Sequence, residues 1–407
     1  MVNIWIKNRI SIILRQTFNS KIMKKTIYIL LFSVLLMSCS DRTDTNDVCS
    51  LQPQEDYLEF AIDDETRIPL FNLYTFQCDG IDYLTFSTQG TRTILIYELQ
   101  TGKLIKKIAY EAEGPNSVGT DIWGFYVKDF NHIYIPNNDR SIIYETDTTG
   151  TINRVIDYTK TVDGKLTLPA YYVNLNNQQM SFIGDSLFIP QKMSNFLDAE
   201  SYCPTSVIVN MKDGKVSPFK MRFPQWAIDR NNDKTIEIPS SYSMVYDGKK
   251  FVYSFTMHEN IFRVNPYTAQ MEEFSARSRY LPKLKYTKMP DEFSQVLKMT
   301  CETPEYGNIL YDKYRKVYYR FTHLKSDLDH EVEHIKILHS GKMEFSIMIL
   351  DEDFNILGET KFPSYTYLNN ICFINEKGLY ISTSHFMRKD YSDDVLRFQL
   401  FKLIDIN

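Results

Sequence analysis

Glycine is scarce in this chain, with 15 in 407 residues, and the net charge is only −5. Acidic and basic residues are interspersed, so the chain offers no basic field for nucleic acid and reads as an ordinary solvated surface. None of the six cysteines forms a C-x-x-C pair, which excludes a zinc ribbon. With Cys39 set aside, the remaining five are an odd number and cannot make a complete disulfide framework. There is no G-x-S-x-G elbow and no series of G-H and W-D repeat signatures. Gly114-Pro115-Asn116 supplies a single glycine, which makes a turn rather than a run of inward-facing N–H groups for phosphate. No cofactor is implied.

Aromatic residues are plentiful: 28 Tyr and 26 Phe, 14% of the chain with Trp. Together with the low glycine content this favours β structure, because such side chains suit a pleated, half-buried surface. The length allows a large buried core.

The N-terminus gives an address. From Met23 the chain reads "MKKTIYILLFSVLLMSCSD": two lysines, an apolar run from Thr26 to Met37, then Leu36-Met37-Ser38-Cys39. The run has signal-peptide length and is too short to span a bilayer comfortably. Its end resembles the bacterial lipobox, in which the cysteine becomes the lipidated first residue. Residues 1–38 are therefore expected to be a signal peptide, Cys39 the lipidation site, and polar residues 39–53 a flexible tether. Met1 to Ile22 carry four basic residues and short apolar runs, which points to Met23 as the true start, with a long n-region as the alternative. The membrane is thus a partner through a lipid anchor, and the expected location is the cell envelope, as an outer-membrane lipoprotein facing the periplasm or the cell surface.

Residues 54–407 carry a repeat. Turn-plus-strand segments align as "CDGIDYLTF" (78–86), "KDFNHIYIP" (128–136), "IGDSLFIP" (183–190), "YDGKKFVYSF" (246–255), "YDKYRKVYYRF" (311–321) and "NEKGLYIS" (375–382). A second series, from "ILIYELQTGKLIKKI" (94–108) to "FSIMILDEDFNILGET" (345–360), supplies a third strand, a turn and a fourth. Six units of about four strands predict an all-β, six-bladed β-propeller. The sixth unit, "VLRFQLFKLIDIN" (395–407), stops after its third strand, and "YLEFAID" (57–63) has no partner at the other end. The N-terminal strand is predicted to close the last blade and so remove a long exposed edge. A pair of β-sandwiches is the alternative that regular strand spacing permits, and the matching turns favour the propeller. Turns between first and second and between third and fourth strands are short and fall on one face. The variable loops, 191–205, 322–343 and 386–394, fall on the other, where function on rigid scaffolds resides.

"EGPNSVG" (113–119), followed by "HIYIPNNDRSIIYETDTTGTI", resembles the TolB-like propeller lipoproteins of the Bacteroidales. The chain from the lipobox to Asn407, with "YDKYRKVYYRF" late, resembles their domain of unknown function 4221 family. The resemblance implies a lipid-anchored six-bladed propeller and no assigned reaction, so it transfers no catalytic residue.

Several residues are candidates for chemistry. "DHEVEH" (329–334) contains H-E-x-x-H, which on a helix would place His330 and His334 on one zinc-binding face with Glu331 as base. Glu333 charges the motif's interior, the segment is an insertion between strands, and no helix with a third ligand follows, so no metal is expected. His323, His330, His334 and His339 share one loop, which offers a metal-binding or pH-responsive alternative to a solvated charged loop. Asp229, Asn231 and Asp233 start like a calcium loop, but Lys234 replaces the turn glycine and Ser240 the bidentate glutamate. Arg320, after "VYY", reads as an anion clamp at the channel mouth or as an ion pair between blades. Trp123 and Trp226 read as packing or as a sugar-stacking surface. Binding of a small molecule, glycan or protein through Arg320, His323 and Trp123 is the favoured function. A hydrolase or lyase at the channel mouth is the alternative.

Overall fold

The computed structural model describes residues 47–406 apart from 67–69, 89, 171–178, 193–203, 233–240, 286–289 and 329–333. The expected signal peptide, the expected lipidation site Cys39 and most of the expected tether lie outside the described residues. Among those described, no helix is long and apolar enough to cross a membrane.

Among the described residues, twenty-four strands form six four-stranded antiparallel sheets, the blades of a β-propeller. Blade 1 is β2 (Leu70–Cys78) to β5 (Leu104–Ala109) and blade 2 is β6 (Tyr126–Asp129) to β9 (Ile152–Asp157). Blade 3 is β10 (Ser181–Ile183) to β13 (Val216–Pro218) and blade 4 is β14 (Tyr242–Tyr246) to β17 (Met271–Ser275). Blade 5 contains β18 (Glu305–Asp312), β19 (Val317–His323), β20 (Phe345–Leu350) and β21 (Ile356–Phe362). Blade 6 takes β22 (Leu368–Ile374), β23 (Leu379–Ser382) and β24 (Val395–Asp405) from the C-terminus and β1 (Cys49–Ala61) from the N-terminus, in the order β1-β24-β23-β22.

The turns align because they share one device. A residue at or just after the strand end, Asp129, Asp247, Asp312 or Asn375, accepts through Oδ1 the backbone N–H two residues on. Asp147, Asn210, Asn265 and Asp351 do the same between third and fourth strands. Such side-chain turns are why these two residue types recur at the corners. Second strands are packed on both faces and read as apolar runs, as in Phe251–Phe255. Fourth strands are outermost and half-solvated; β5, β9 and β17 carry Lys, Arg and Glu, which blunts their free edges.

Six apolar clusters fill the six seams. Ile94 and Ile96 meet Ile133 and Ile135 between blades 1 and 2, and Phe188 and Phe219 meet Phe251 and Tyr253 between blades 3 and 4. Leu84 and Phe86 meet Phe373 and Phe398 between blades 6 and 1, where the ring closes.

The closing strand differs from the sequence expectation in its start. It begins at Cys49, so residues 49–53 belong to the propeller and not to the tether. Cys49 and Leu51 are buried against Ile347, Phe362 and Phe401 in the seam between blades 5 and 6. Leu51 N donates to Thr360 Oγ1 at 2.9 Å, and Val48 N donates to Leu357 O at 2.8 Å. The pairing with β24 shifts register between Pro53 and Tyr57, as expected where proline removes a ladder donor. Leu51→Ala is expected to lower stability by about 2–3 kcal/mol, read as a lower urea midpoint at unchanged m-value; a neutral result would return this segment to the tether.

Candidate functional site

On the face opposite the short turns, second strands end in buried polar residues that hold the chain passing above them. Ser87 Oγ donates to Ile122 O at 2.8 Å. Asn137 Oδ1 accepts from the N–H groups of Asp139 and Arg140. Gln191 accepts from Leu168 N and donates to Leu168 O. Thr256 Oγ1 donates to Ser241 O and Ser384 Oγ to Val395 O. These bonds satisfy loop backbone that would otherwise be buried unpaired, and they make the loop face rigid.

Arg320, in β19, is fully buried in the seam between blades 4 and 5. Its Nε donates to Ser254 Oγ at 2.9 Å, its Nη1 to the carbonyls of Glu259 and Ala276 at 2.5 and 2.7 Å, and its Nη2 to the carbonyl of His258 at 2.7 Å. The Tyr306 ring centroid lies 3.5 Å from the guanidinium carbon. Burial pulls the guanidinium down to about 10, so it is charged at neutral pH. Tyr306 OH accepts from Ser278 N, and Ser278 and Ser346 hydroxyls both donate to Glu359 Oε1 at 2.6 Å. A planar fork with several donors suits this convergence of backbone carbonyls.

Above blades 5 and 6 the long loops form a cap. Helix α1 (Gln225–Asn232) precedes blade 4, α2 (Phe293–Glu302) precedes blade 5, and α3 (His334–Ser340) lies between β19 and β20. Cys301 of α2 and Ile337 of α3 pack with Leu328 and Met343 into a small apolar cluster, which Leu338, Tyr365 and Phe386 border. The loop is pinned where it returns to the sheet. Lys342, with its side chain 1% exposed, pairs with Glu305 Oε1 at 2.9 Å and donates to Thr303 O at 2.7 Å. Asn369 Nδ2 donates to Lys342 O at 2.8 Å. His323 Nδ1 lies 3.4 Å from the same Glu305 oxygen.

Burial pushes the Glu305 carboxyl up, but the Lys342 ammonium and the His323 contact outweigh it and hold it at about 2. Burial lowers His323, which favours the neutral ring. Two glycines permit the arrangement: at Gly341 (φ +82°) a Cβ would stand 2.2 Å from Asn369 Oδ1, and at Gly307 it would stand 2.9 Å from the His323 ring.

The family model for Domain of unknown function (DUF4221) matches residues 49–361. The chain belongs to this family. A crystal structure of a DUF4221 family member from Bacteroides vulgatus is similar, at 22% identity and a TM-score of 0.75, covering 89% of this chain and all of that one; it shares the fold. A second crystal structure, of a protein from Bacteroides fragilis, aligns at 11% identity and a TM-score of 0.48, over 89% of this chain and 98% of that one. No curated protein matches.

Against this DUF4221 frame, the candidate residues fall into place or out of it. Arg320 is not at the channel mouth: its donors are committed to blade 4 backbone, so the anion clamp gives way to an inter-blade staple. Its partners are carbonyls and a hydroxyl rather than the carboxylate that an ion pair would need. His323 is not a loop residue either. It ends β19, is 3% exposed, and belongs to the Glu305–Lys342 latch. Trp226 stacks on His258 with centroids 4.3 Å apart, so that ring face is used in packing. Asp229 and Asn231 lie in helix α1, not in a loop. Trp123 is 46% exposed on the connection between blades 1 and 2.

His330 lies outside the described residues. His334 opens α3, and among the described residues no group of three or more His, Cys, Asp or Glu could hold a metal. The sequence reading missed Glu305, Lys342 and His385. A signal for the last exists: "FTH" at 321–323 and "TSH" at 383–385 follow the aligned strands of blades 5 and 6.

Proposed function

We propose that this DUF4221 protein is a membrane-anchored lipoprotein whose propeller binds a ligand or partner through its loop face. One observation carries the reading. The described parts of segments 276–304, 324–344 and 383–394 leave the blades on one face, where two helices and a buried ion pair organise them, while the other face carries short turns. A rigid frame with elaborated loops on one side is the usual division of labour in binding propellers. Three buried groups are poorly set for proton transfer: Glu305 is held at about 2, and burial pushes the Cys301 and Cys372 thiols up to about 11 and 12. General acid–base work calls for a group near the operating pH.

Phe293, Ile335 and Met387 are exposed on the loop face, and Tyr267 and Tyr314 on the short-turn face. Full-length chain in detergent, screened against glycan and envelope-protein panels, is expected to lose binding when the first three become Asp and keep it when the two tyrosines do. The reverse pattern would sink the proposal. For the anchor, wild-type cells fed an alkyne fatty acid are expected to label the protein, and Cys39→Ser to abolish the label; persistent label would place the anchor elsewhere.

A further inference from the structure

His385 is 1% exposed and follows β23 on the loop face of blade 6. Its Nδ1 accepts from Met387 N at 3.2 Å, which puts the ring proton on Nε2. That Nε2 is buried with no hydrogen-bond partner among the described residues. The ring is held in place: Phe386 stacks on it at 5.0 Å and Tyr365 meets it edge-on at 5.7 Å. Both aromatics border the apolar cluster of Cys301, Leu328, Ile337 and Met343. His334, whose backbone carbonyl accepts from Cys301 Sγ, has a buried Nε2 that likewise lacks a partner among the described residues. His334 opens the helix whose Ile337 belongs to that same cluster.

An unpaired buried donor lowers stability and in a native protein points to a partner that joins later. The surroundings specify that partner. The nearby Arg388 donates through Nε and Nη2 to both oxygens of Asp390 at 2.8 Å, so this cation is already paired and does not invite a carboxylate or phosphate. The neighbours are alkyl, sulfur and aromatic groups, which suit a methyl or short alkyl chain. Resting on the loop-face binding proposed above, we infer that His385 forms a subsite for a neutral acyl group. Its carbonyl oxygen accepts from His385 Nε2–H and its alkyl part packs beside Ile337, Met343 and Phe386. An acetamido group, on an N-acetylated sugar or an acylated peptide, has this chemistry.

Two measurements on the full-length chain in detergent test it. Without ligand, His385→Phe removes an unpaired donor and keeps the aromatic packing, so Tm is expected to rise by about 1–3 °C; a fall would mean the imidazole is structurally bonded and overturns the inference. Binding of N-acetylglucosamine and of N-acetylalanine methylamide is then followed by NMR on wild type and variant. Binding of the sugar alone or the peptide analogue alone, weakened about tenfold or more by His385→Phe, supports the subsite and names the source. Equal binding to wild type and variant overturns it while leaving loop-face binding intact. No binding of either probe overturns the acyl class, whereas loop-face binding itself stands or falls on the Phe293, Ile335 and Met387 variant.

Discussion

Arg320→Leu is expected to cost about 4–5 kcal/mol, the largest single-residue effect in the domain. The substitution leaves the carbonyls of His258, Glu259 and Ala276 and the Ser254 hydroxyl without their donor at a fully buried position. Arg320→Lys keeps the charge but cannot present the fork, and it is expected to recover less than half of the loss. Because Glu259 and His258 sit in the loop-face turn of blade 4, hydrogen exchange at residues 256–260 should accelerate in both variants. A loss under 1 kcal/mol in urea titration would mean that the seam is held by its apolar cluster alone and that Arg320 has another role.

Lys342→Met is expected to cost about 3–5 kcal/mol, because it strands the buried Glu305 carboxylate. Adding Glu305→Gln should return most of that loss. A double-mutant cycle that shows simple additivity would contradict the latch. The same pair gives a pH signature. The folded Glu305 carboxyl, held at about 2, lies below the ordinary glutamate value near 4.3. Its contribution is therefore fully present above about pH 4.5 and lost as pH falls from there towards 2, on the order of 3 kcal/mol in all. Burial together with the Arg388 charge lowers His385 to about 4, so protonating it works against the fold: this group leaves stability unchanged with pH above about 6.5 and lowers it as pH falls from 6.5 towards 4. Stability measured from pH 7 down to 3 should fall in two stages: His385→Phe removes the upper one, and the Lys342→Met/Glu305→Gln pair the lower.

Much of the fold was legible because its cause is local. Asp247, Asp312 and Asn375 mark corners by bonding their own backbone, and the packed second strands between corners are apolar on both faces. The ring closure was legible because β24 has an unfilled edge and "YLEF" had no other partner. The start of β1 was not, because only Cys49 and Leu51 of residues 49–53 are buried, and they sit in a polar stretch that reads as tether. The site was less legible. Its groups come from β18, β19, the loop before β20 and the loop after β23, and only the tertiary fold brings Glu305 to Lys342. The histidines misled for a related reason: His323 looks like one of four in a loop, but Phe321 and Thr322 carry the strand up to it. Arg320 reads from sequence as a channel-mouth clamp or an ion pair between blades, and only the geometry of four acceptors shows that it faces the backbone of blade 4 instead.

The most direct test of loop-face function is a hydrogen-exchange map of the full-length chain with and without whichever panel member it binds. Protection confined to 276–304, 324–344 and 383–394, deepest beside Lys342 and His385, is the result expected. Protection centred on the short turns at 99–103, 147–151, 211–215 and 265–270 would contradict it and move the binding surface to the opposite face.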